Sequence, residues 1–474
     1  MAMKVNRRTF LRAAGAAVAW HIVPRHVLGR GLVPPSEMVA IAGIGVGGQG
    51  TADLRRLSET KAVSIVAVCD PDPRRTGALR RDYKSAQAFA DYRKMLDEVK
   101  EIDGVVVATP DHHHAIASME AIHRGKHVYC EKPLTHSVYE ARRLAEAARD
   151  AKVATQMGNQ GQASADTRLL CEAVWSGVIG PVREVHVWTD RPSRGLFQEY
   201  WPQGIDRPAG PAQTPAGMDW DLWLGPAPQR NYDPAYHPFK WRGWWDFGTG
   251  ALGDIGCHSM DPIFRALKLG HPTEVQASSG RVNKETFPLA SIVTYQFPER
   301  SADLQATNVH IRGMTGPAAG GIAMPPVKMV WYDGGLRPPR PENLPAGEMM
   351  GDNGRLLIGE KGFILGGGPS KPDLLYPTSL RESLAKSISK IPQSPGHQQE
   401  WVDACRGGPA CGANFDWAGP LTEVVLLGNV ALRSELREAL TRQRLTWNPT
   451  DMKFANLPEA NAFLRREYRS GWAL

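Results

Sequence analysis

Residues 38–57 read MVAIAGIGVGGQGTADLRRL. A short apolar run passes into a cluster of glycines, and apolar residues then return at helical spacing as Ala52, Leu54 and Leu57. The pattern predicts strand, tight turn, helix. Glycines at such a turn let the backbone bend sharply and approach a pyrophosphate, whose charge is favoured at a helix N-terminus. Two registers fit the GxGxxG spacing, Gly43/Gly45/Gly48 and Gly45/Gly47/Gly50. The second leaves the longer strand before it, so Gly45, Gly47 and Gly50 are taken as the cofactor-binding glycines.

Working outward, a second apolar run in VSIVAVCDPDPRR (63–75) ends at Asp70, 25 residues after Gly45. An acid at that distance suits the adenosine ribose, and it favours NAD because a carboxylate repels the 2′-phosphate of NADP. Arg74 and Arg75 nearby soften that preference, so NADP is the less favoured cofactor. Next comes GVVVATPDHHHAIASMEAIHRGKHVYCEKPLTHS (104–137), which predicts a buried strand over Val105–Ala108, a helix over Ala115–His123 and another strand in HVYCEKP. Repeated strand and helix units imply a doubly wound parallel sheet of the Rossmann type, with ligands at the carboxyl ends of its strands. Thr109, Pro110, Glu131 and Lys132 fall at those ends and are candidate cofactor contacts. Three consecutive histidines cannot converge on one ion from a regular strand or helix. His112 to His114 are therefore read as loop residues, with His114 packing under the cofactor, and no metal site is expected.

In order and spacing, GVGGQG (45–50), ATPDHHH (108–114) and EKP (131–133) resemble the glucose-fructose oxidoreductase, inositol dehydrogenase and rhizopine catabolism (Gfo/Idh/MocA) family. The resemblance covers most of residues 36–450 and implies a Rossmann domain followed by an α/β domain. That second domain carries a large, mostly antiparallel open sheet, which helps to form the substrate site and often a subunit interface. The lysine of EKP, here Lys132, is then expected beside the nicotinamide and the substrate hydroxyl. The family's second signature is a helix with an acid and a histidine four apart, and GTGALGDIGCHSMDPIFRAL (248–267) supplies Asp254 and His258. One helical turn puts both on the same face. Histidine suits removal of a hydroxyl proton, a neighbouring acid can orient it, and Lys132 can stabilise developing alkoxide charge. Asp261 repeats the acid one turn on, but Pro262 beside it points to a structural role.

Eight of the 14 tryptophans lie between Trp175 and Trp245, and a Pro/Gly-rich stretch runs from Gly313 to Gly351. Disordered linkers are poor in aromatics, so these read as long loops over the site. Trp241 and its neighbours either stack on sugar rings or staple the loops down, while Lys240 and Arg242 offer donors to hydroxyls or a carboxylate. QMGNQGQ (156–162) is expected to form another rim of the substrate pocket through Asn159 and Gln160. Two predicted helices, in HQQEWVDACRGG (397–408) and AGPLTEVVLLGNVALRSELREAL (418–440), cover the domain or a partner subunit, and His397 is either a helix cap or a substrate contact.

The formal charge is +7, but Lys4, Arg7, Arg8, Arg12, Arg25 and Arg30 account for six of it, leaving +1 for the rest. Such a balance lacks the footprint of nucleic-acid or anionic-membrane binding. Residues 1–31 have a basic start, an apolar run from Phe10 to Trp20, then Pro24 and Gly29. With Arg7 and Arg8 followed by Phe10 and Leu11, this resembles a twin-arginine signal that delivers a folded protein to the periplasm. No later segment reaches the roughly 18 apolar residues of a membrane helix, so the mature form is expected off the membrane. The domain plan is thus 1–31 signal, 36–155 NAD-binding domain, 156–450 substrate-binding and oligomerisation domain, and 451–474 C-terminal tail. The expected activity is oxidation of a secondary hydroxyl of a sugar, polyol or glycoside, with tightly bound NAD, in a homo-oligomer (dimer or tetramer). A periplasm holds no NAD pool for exchange, which favours a redox-neutral variant: glycoside cleavage through oxidation, elimination and re-reduction. The alternative of another class is a sugar-binding sensor that keeps NAD as a structural part.

Overall fold

The structure, a computed structural model, describes residues 37–195, 198–210, 212–300, 324–367, 373–387 and 391–474. The signal of residues 1–31 and the start of the Pro/Gly-rich stretch at Gly313 lie outside the described residues.

The glycine-rich opening folds as β1 (Val39–Ile44), a turn and α1 (Gln49–Glu59). There follow β2 (Val63–Cys69), α2 (Pro73–Leu79), β3 (Gln87–Phe89), α3 (Tyr92–Glu98), β4 (Gly104–Val107), α4 (Asp111–His123), β5 (His127–Cys130), α5 (Val138–Ala151) and β6 (Thr155–Met157). All six strands pair in parallel in the order β3-β2-β1-β4-β5-β6. Strand order reverses between β1 and β4, and a ligand crevice opens at the carboxyl ends beside such a switch point. The sheet continues past the predicted boundary at 155, because β6 runs on to Met157. The histidine run also differs from its reading: His112 to His114 are in the first turn of α4, not in a loop. Both halves of the molecule pack on this helix, burying all three histidines. A helix buried on nearly every side has no polar stripe, so periodicity placed its start four residues late. At the head of α5, Ser137 Oγ accepts from the Glu140 amide while the Glu140 carboxylate takes the amides of His136 and Ser137.

After α6 (Ala165–Trp175) the second half is built on β7 (Val182–Trp188), and a small hairpin of β8 (Ser193–Arg194) and β9 (Gln198–Glu199) follows. Beyond α7 (Trp220–Leu224) and α8 (Gly250–Leu267) come β10 (Glu274–Ser279), β11 (Ser291–Phe297), β12 (Val327–Tyr332), β13 (Gly354–Gly359), β14 (Phe363–Gly366) and β15 (Leu374–Tyr376). Helices α9 (Leu380–Ser387), α10 (His397–Cys405), α11 (Phe415–Ala431) and α12 (Arg437–Leu440) lead to β16 (Leu445–Asn448) and β17 (Lys453–Phe454). Nine strands form one sheet in the order β15-β14-β13-β7-β12-β11-β10-β16-β17. Only β7 and β12 run parallel in it, as the expectation of a mostly antiparallel sheet required. Along β11 the residues alternate, with Val293, Tyr295 and Phe297 turned into a core shared with Leu252, Phe264 and Val425 of α8 and α11.

Helix α11 covers the molecule's own nucleotide half: Arg142 of α5 makes a two-pronged contact with Glu423 of α11. Asp261 is structural, pairing in full burial with Arg265 at 3.0 Å and accepting from the Trp417 indole at 2.7 Å. Breaking a buried pair by removing one partner costs about 3–5 kcal/mol. Asp261→Leu is therefore expected to lower the chemical-denaturation midpoint strongly, and an unchanged midpoint would contradict that role.

Most of the clustered tryptophans staple their loops. Trp223, Tyr236, Trp241, Trp244 and Phe247 make a small core of their own between α7 and α8. The stretch after residue 450 is not a separate tail, since β17 extends the nine-stranded sheet and residues 466–472 return to the nucleotide half. Among the described residues no helix is long and apolar enough to cross a membrane.

Candidate active site

A cavity of about 600 Å³ runs from the glycine turn to the head of α8. Its nucleotide end fits a dinucleotide on steric grounds. Gly45 has φ +78°, and a Cβ there would lie 2.6 Å from the Thr109 nitrogen. A Cβ on Gly50 would lie 2.0 Å from the Gly45 carbonyl oxygen, so α1 can pack this close to the turn only with glycine. Gly47 lines the cavity and faces Arg75. Ile44, Asp70, Thr109, Pro110, His114 and Glu131 line it as well. His114 is wedged between the carbonyls of Pro133 and Thr109, at 2.7 and 2.9 Å, tying two strand ends together.

Asp70 accepts from the amides of Val46 and Asp72, which holds its carboxyl beside the turn. Burial pushes it up to about 6. A carboxylate binds hydroxyls more strongly than its neutral acid does, so protonation as the pH falls through about 6 should weaken NAD binding. NADH fluorescence titration is expected to show Kd rising several-fold from pH 7 to pH 5 and a flatter profile in Asp70→Asn. A wild-type Kd constant over that range would contradict the assignment.

At the other end, Lys132 Nζ donates to the Asp254 carboxylate at 2.8 Å and to the Asp254 carbonyl at 2.7 Å. Arg242 Nε donates to the same carboxylate oxygen at 3.1 Å. Asp254 is held well below the ordinary carboxylate range, its burial outweighed by the charges of Lys132 and then Arg242. An ammonium carries three N–H donors, and among the described residues only these two contacts occupy Lys132. Its third donor is left for the cavity that it lines.

His258 shares this end but makes no hydrogen bond to Asp254. Its Nδ1 meets Asn159 Oδ1 at 2.9 Å instead, which fixes the tautomer with hydrogen on Nδ1 and the lone pair on Nε2. The expected acid-to-histidine orientation is thereby corrected: Lys132 and Arg242 both bond one oxygen of Asp254, and the Asn159 amide takes the orienting role. Burial and then the Lys132 charge push His258 down to about 3, so the imidazole is neutral. Pro262 sits four residues after His258 and has no N–H, so the His258 carbonyl lacks its usual helical donor.

The substrate-rim predictions divide. Gln160, Trp241 and Arg242 line the cavity, whereas Lys240 is exposed and does not. Asn159 is only 1% exposed and lies behind His258, out of substrate reach. His397 begins α10, is buried against Gln162, and does not line the cavity either. Several lining residues escaped sequence reasoning, among them Asp111, Tyr200, His237 and Trp472. Asp111 accepts from Thr249 Oγ1 at 2.6 Å, and burial pushes it up to about 7. Asp53, beneath the floor, faces the lining residue Glu131, and Gln49 Nε2 donates to both, at 2.8 and 3.4 Å. Burial and the adjacent carboxylate push Asp53 up, and burial pushes Glu131 up as well. Gly158 makes room for this, since a Cβ there would lie 2.1 Å from Glu131 Oε1. Among the described residues no group of three or more histidine, cysteine or acidic side chains forms a metal site.

Two family models match the chain: the oxidoreductase family's NAD-binding Rossmann fold over residues 39–159, and its C-terminal alpha/beta domain over residues 169–300. The chain belongs to the Gfo/Idh/MocA family. Similar proteins of the Gfo/Idh/MocA group include a glycosyl hydrolase family 109 protein of Shewanella pealeana, 26% identical over 38% of this chain and 44% of that protein. An inositol 2-dehydrogenase of Rubrobacter xylanophilus is 32% identical over 31% of this chain and 42% of its own length. The chain thus spans less than half of either relative. Among solved structures, the WlbA dehydrogenase of Bordetella pertussis in complex with NADH and UDP-GlcNAcA has a TM-score of 0.56 at 18% identity, covering 87% of this chain and 99% of that one. GenD2 from gentamicin A biosynthesis, in complex with NAD, has a TM-score of 0.54 at 20% identity, covering 90% and 99%. At such identities the likeness is one of Gfo/Idh/MocA fold.

Proposed function

We propose that this chain is an NAD-dependent enzyme acting on a secondary hydroxyl of a sugar, polyol or glycoside. The observation that carries the reading is the unspent N–H of Lys132 beside the neutral His258, in one cavity with the glycine cradle. The ammonium donates to the substrate oxygen and stabilises charge as that oxygen loses its proton. His258 Nε2 takes the proton, while Asn159 holds the ring in the tautomer that leaves this nitrogen free. Arg242 keeps Asp254 ionised, and Asp254 in turn holds Lys132 at its post. Trp241 lines the cavity with the Arg242 guanidinium stacked over its ring at 4.2 Å, which holds Arg242 beside Asp254. The glycine turn and Asp70 would hold NAD, which would supply a hydride acceptor for the carbon bearing the oxygen and, in a cycle without net oxidation, the hydride for its return.

A specific feature favours that redox-neutral form, glycoside cleavage. Elimination from an oxidised sugar takes a proton from carbon and gives one to the departing oxygen, so it needs a second proton carrier. Asp111, with its midpoint pushed up to about 7 inside the same cavity, can hold or release a proton at neutral pH. Similarity to the family 109 protein points the same way. The test offers purified protein aryl glycosides and free sugars separately. Aglycone released without net NADH supports cleavage, NADH growth with free sugar supports plain dehydrogenation, and sugar binding with neither overturns the enzyme reading in favour of a sensor.

The arginine pair Arg7–Arg8 adds export of the folded protein to the periplasm to this proposal. Replacing both arginines with lysine is expected to leave the protein in the cytoplasmic fraction, and unchanged export would contradict it.

A further inference from the structure

The nucleotide end of the cavity is not made by the Rossmann half alone. The loop around α7 reaches it first: the Asp219 amide donates to the Pro71 carbonyl at 2.9 Å, directly after Asp70. Leu222, Trp223, His237 and Pro238 from this loop line the cavity. The Trp223 carbonyl meets His112 Nε2 at 3.0 Å and His113 Nε2 at 2.9 Å, anchoring the loop to the head of α4.

A second segment, residues 466–472, lies across the first. At one end Arg466 Nε and Tyr468 Oη both donate to Glu140, at 2.8 and 2.7 Å. In the middle Arg469 is spent wholly on the loop, donating to the carbonyls of Gly225 at 3.0 Å and Asp221 at 2.9 Å, to Gln229 Oε1 at 2.7 Å and to the Asp221 carboxylate. Its own amide donates to the Pro226 carbonyl at 3.1 Å. At the far end Trp472 lines the cavity with Asp91 and Tyr92. Arg93 packs over its ring at 4.4 Å, and the His113 ring meets it edge-on at 5.6 Å. Asp91 and Tyr92 follow Phe89, whose carbonyl accepts from the Asp70 amide at 3.0 Å, so Trp472 stands on the adenosine side of the site.

We propose that residues 466–472 are a buckle that completes the cofactor site, with Trp472 walling the adenine end and Arg469 fastening the segment to the loop around α7. The cofactor then leaves only when the Arg469 contacts open, and the protein works with a resident NAD. This rests on reading the pocket as an NAD site, not on the reaction proposed for it.

The test measures cofactor directly. NAD content is assayed after gel filtration of the full chain, and NADH dissociation is followed by stopped-flow fluorescence with excess NAD as competitor. Wild type is expected to retain NAD through the column. Trp472→Ala should release NADH roughly tenfold faster or more, the scale of a lost stacking contact to a base. Arg469→Ala should accelerate release as well, with the Trp472 side chain intact. Trp472→Phe keeps an aromatic wall and should recover most of the retention, which separates a wall from mere folding damage. If Trp472→Ala and Arg469→Ala release NADH at the wild-type rate, the buckle is wrong while the NAD site stands. If wild type binds neither NAD nor NADH, the NAD reading itself falls.

Discussion

Lys132→Met abolishes turnover while NAD stays bound: a loss of about 10³-fold or more in kcat is expected, the scale of removing one donor and its charge from a developing oxyanion. Methionine keeps the length and most of the apolar stem, so the change isolates the ammonium. Asp254 retains Arg242 at 3.1 Å and remains ionised, which limits the structural damage. The glycine turn and Asp70 lie at the other end of the cavity, so NAD content after purification should match wild type. The check pairs initial rates on a turned-over substrate with an NAD assay of the same preparation. A variant within tenfold of wild type would remove Lys132 from the chemistry. A variant that loses its NAD would show instead that the lysine serves cofactor binding.

His258→Ala is expected to cost about 10²–10⁴-fold in kcat, the range for a positioned general base. Its pH signature is distinctive. Because burial and Lys132 push the imidazole down to about 3, its neutral form persists far below the ordinary histidine range. Protonation of His258 therefore cannot supply an acid limb near pH 6.5, and a limb found there belongs to Asp70 or Asp111, the two cavity carboxyls that burial pushes up to about 6 and about 7. Asn159→Leu provides the companion measurement. It removes the partner that fixes the His258 tautomer without touching the cavity, so kcat should fall with KM nearly unchanged. A rise in KM alone would return Asn159 to the substrate role expected of it from sequence.

The nucleotide half was legible because its constraints are local. A side chain at Gly45 or Gly50 collides with backbone a few residues or one strand away, so the pattern of glycines writes the turn into the sequence. Asp254 and His258 were legible for a similar reason, being one helical turn apart. Their partners were not. Asn159 meets His258 across 99 residues, and Arg242 reaches Asp254 from a neighbouring turn whose direction no periodicity encodes. The histidine run misled because full burial erases the polar stripe that marks a helix. Trp472 was illegible for the plainest reason: it takes its meaning from Arg93 and His113, which lie in another layer of the molecule. A Gly following a short buried strand, as Gly158 follows β6, was the one local hint that something bulky, the Glu131 carboxylate, occupies the space beside it.

One buried residue joins two of these levels. Glu140 caps the head of α5 through the amides of His136 and Ser137, and the same carboxylate receives Arg466 and Tyr468 from the buckle. Fraying of that helix end and lifting of the segment above it draw on a single carboxylate. Backbone hydrogens at residues 136 and 137 should accordingly exchange with deuterium in step with cofactor escape, turning two amide protons of the nucleotide domain into a clock for an event at the other end of the chain.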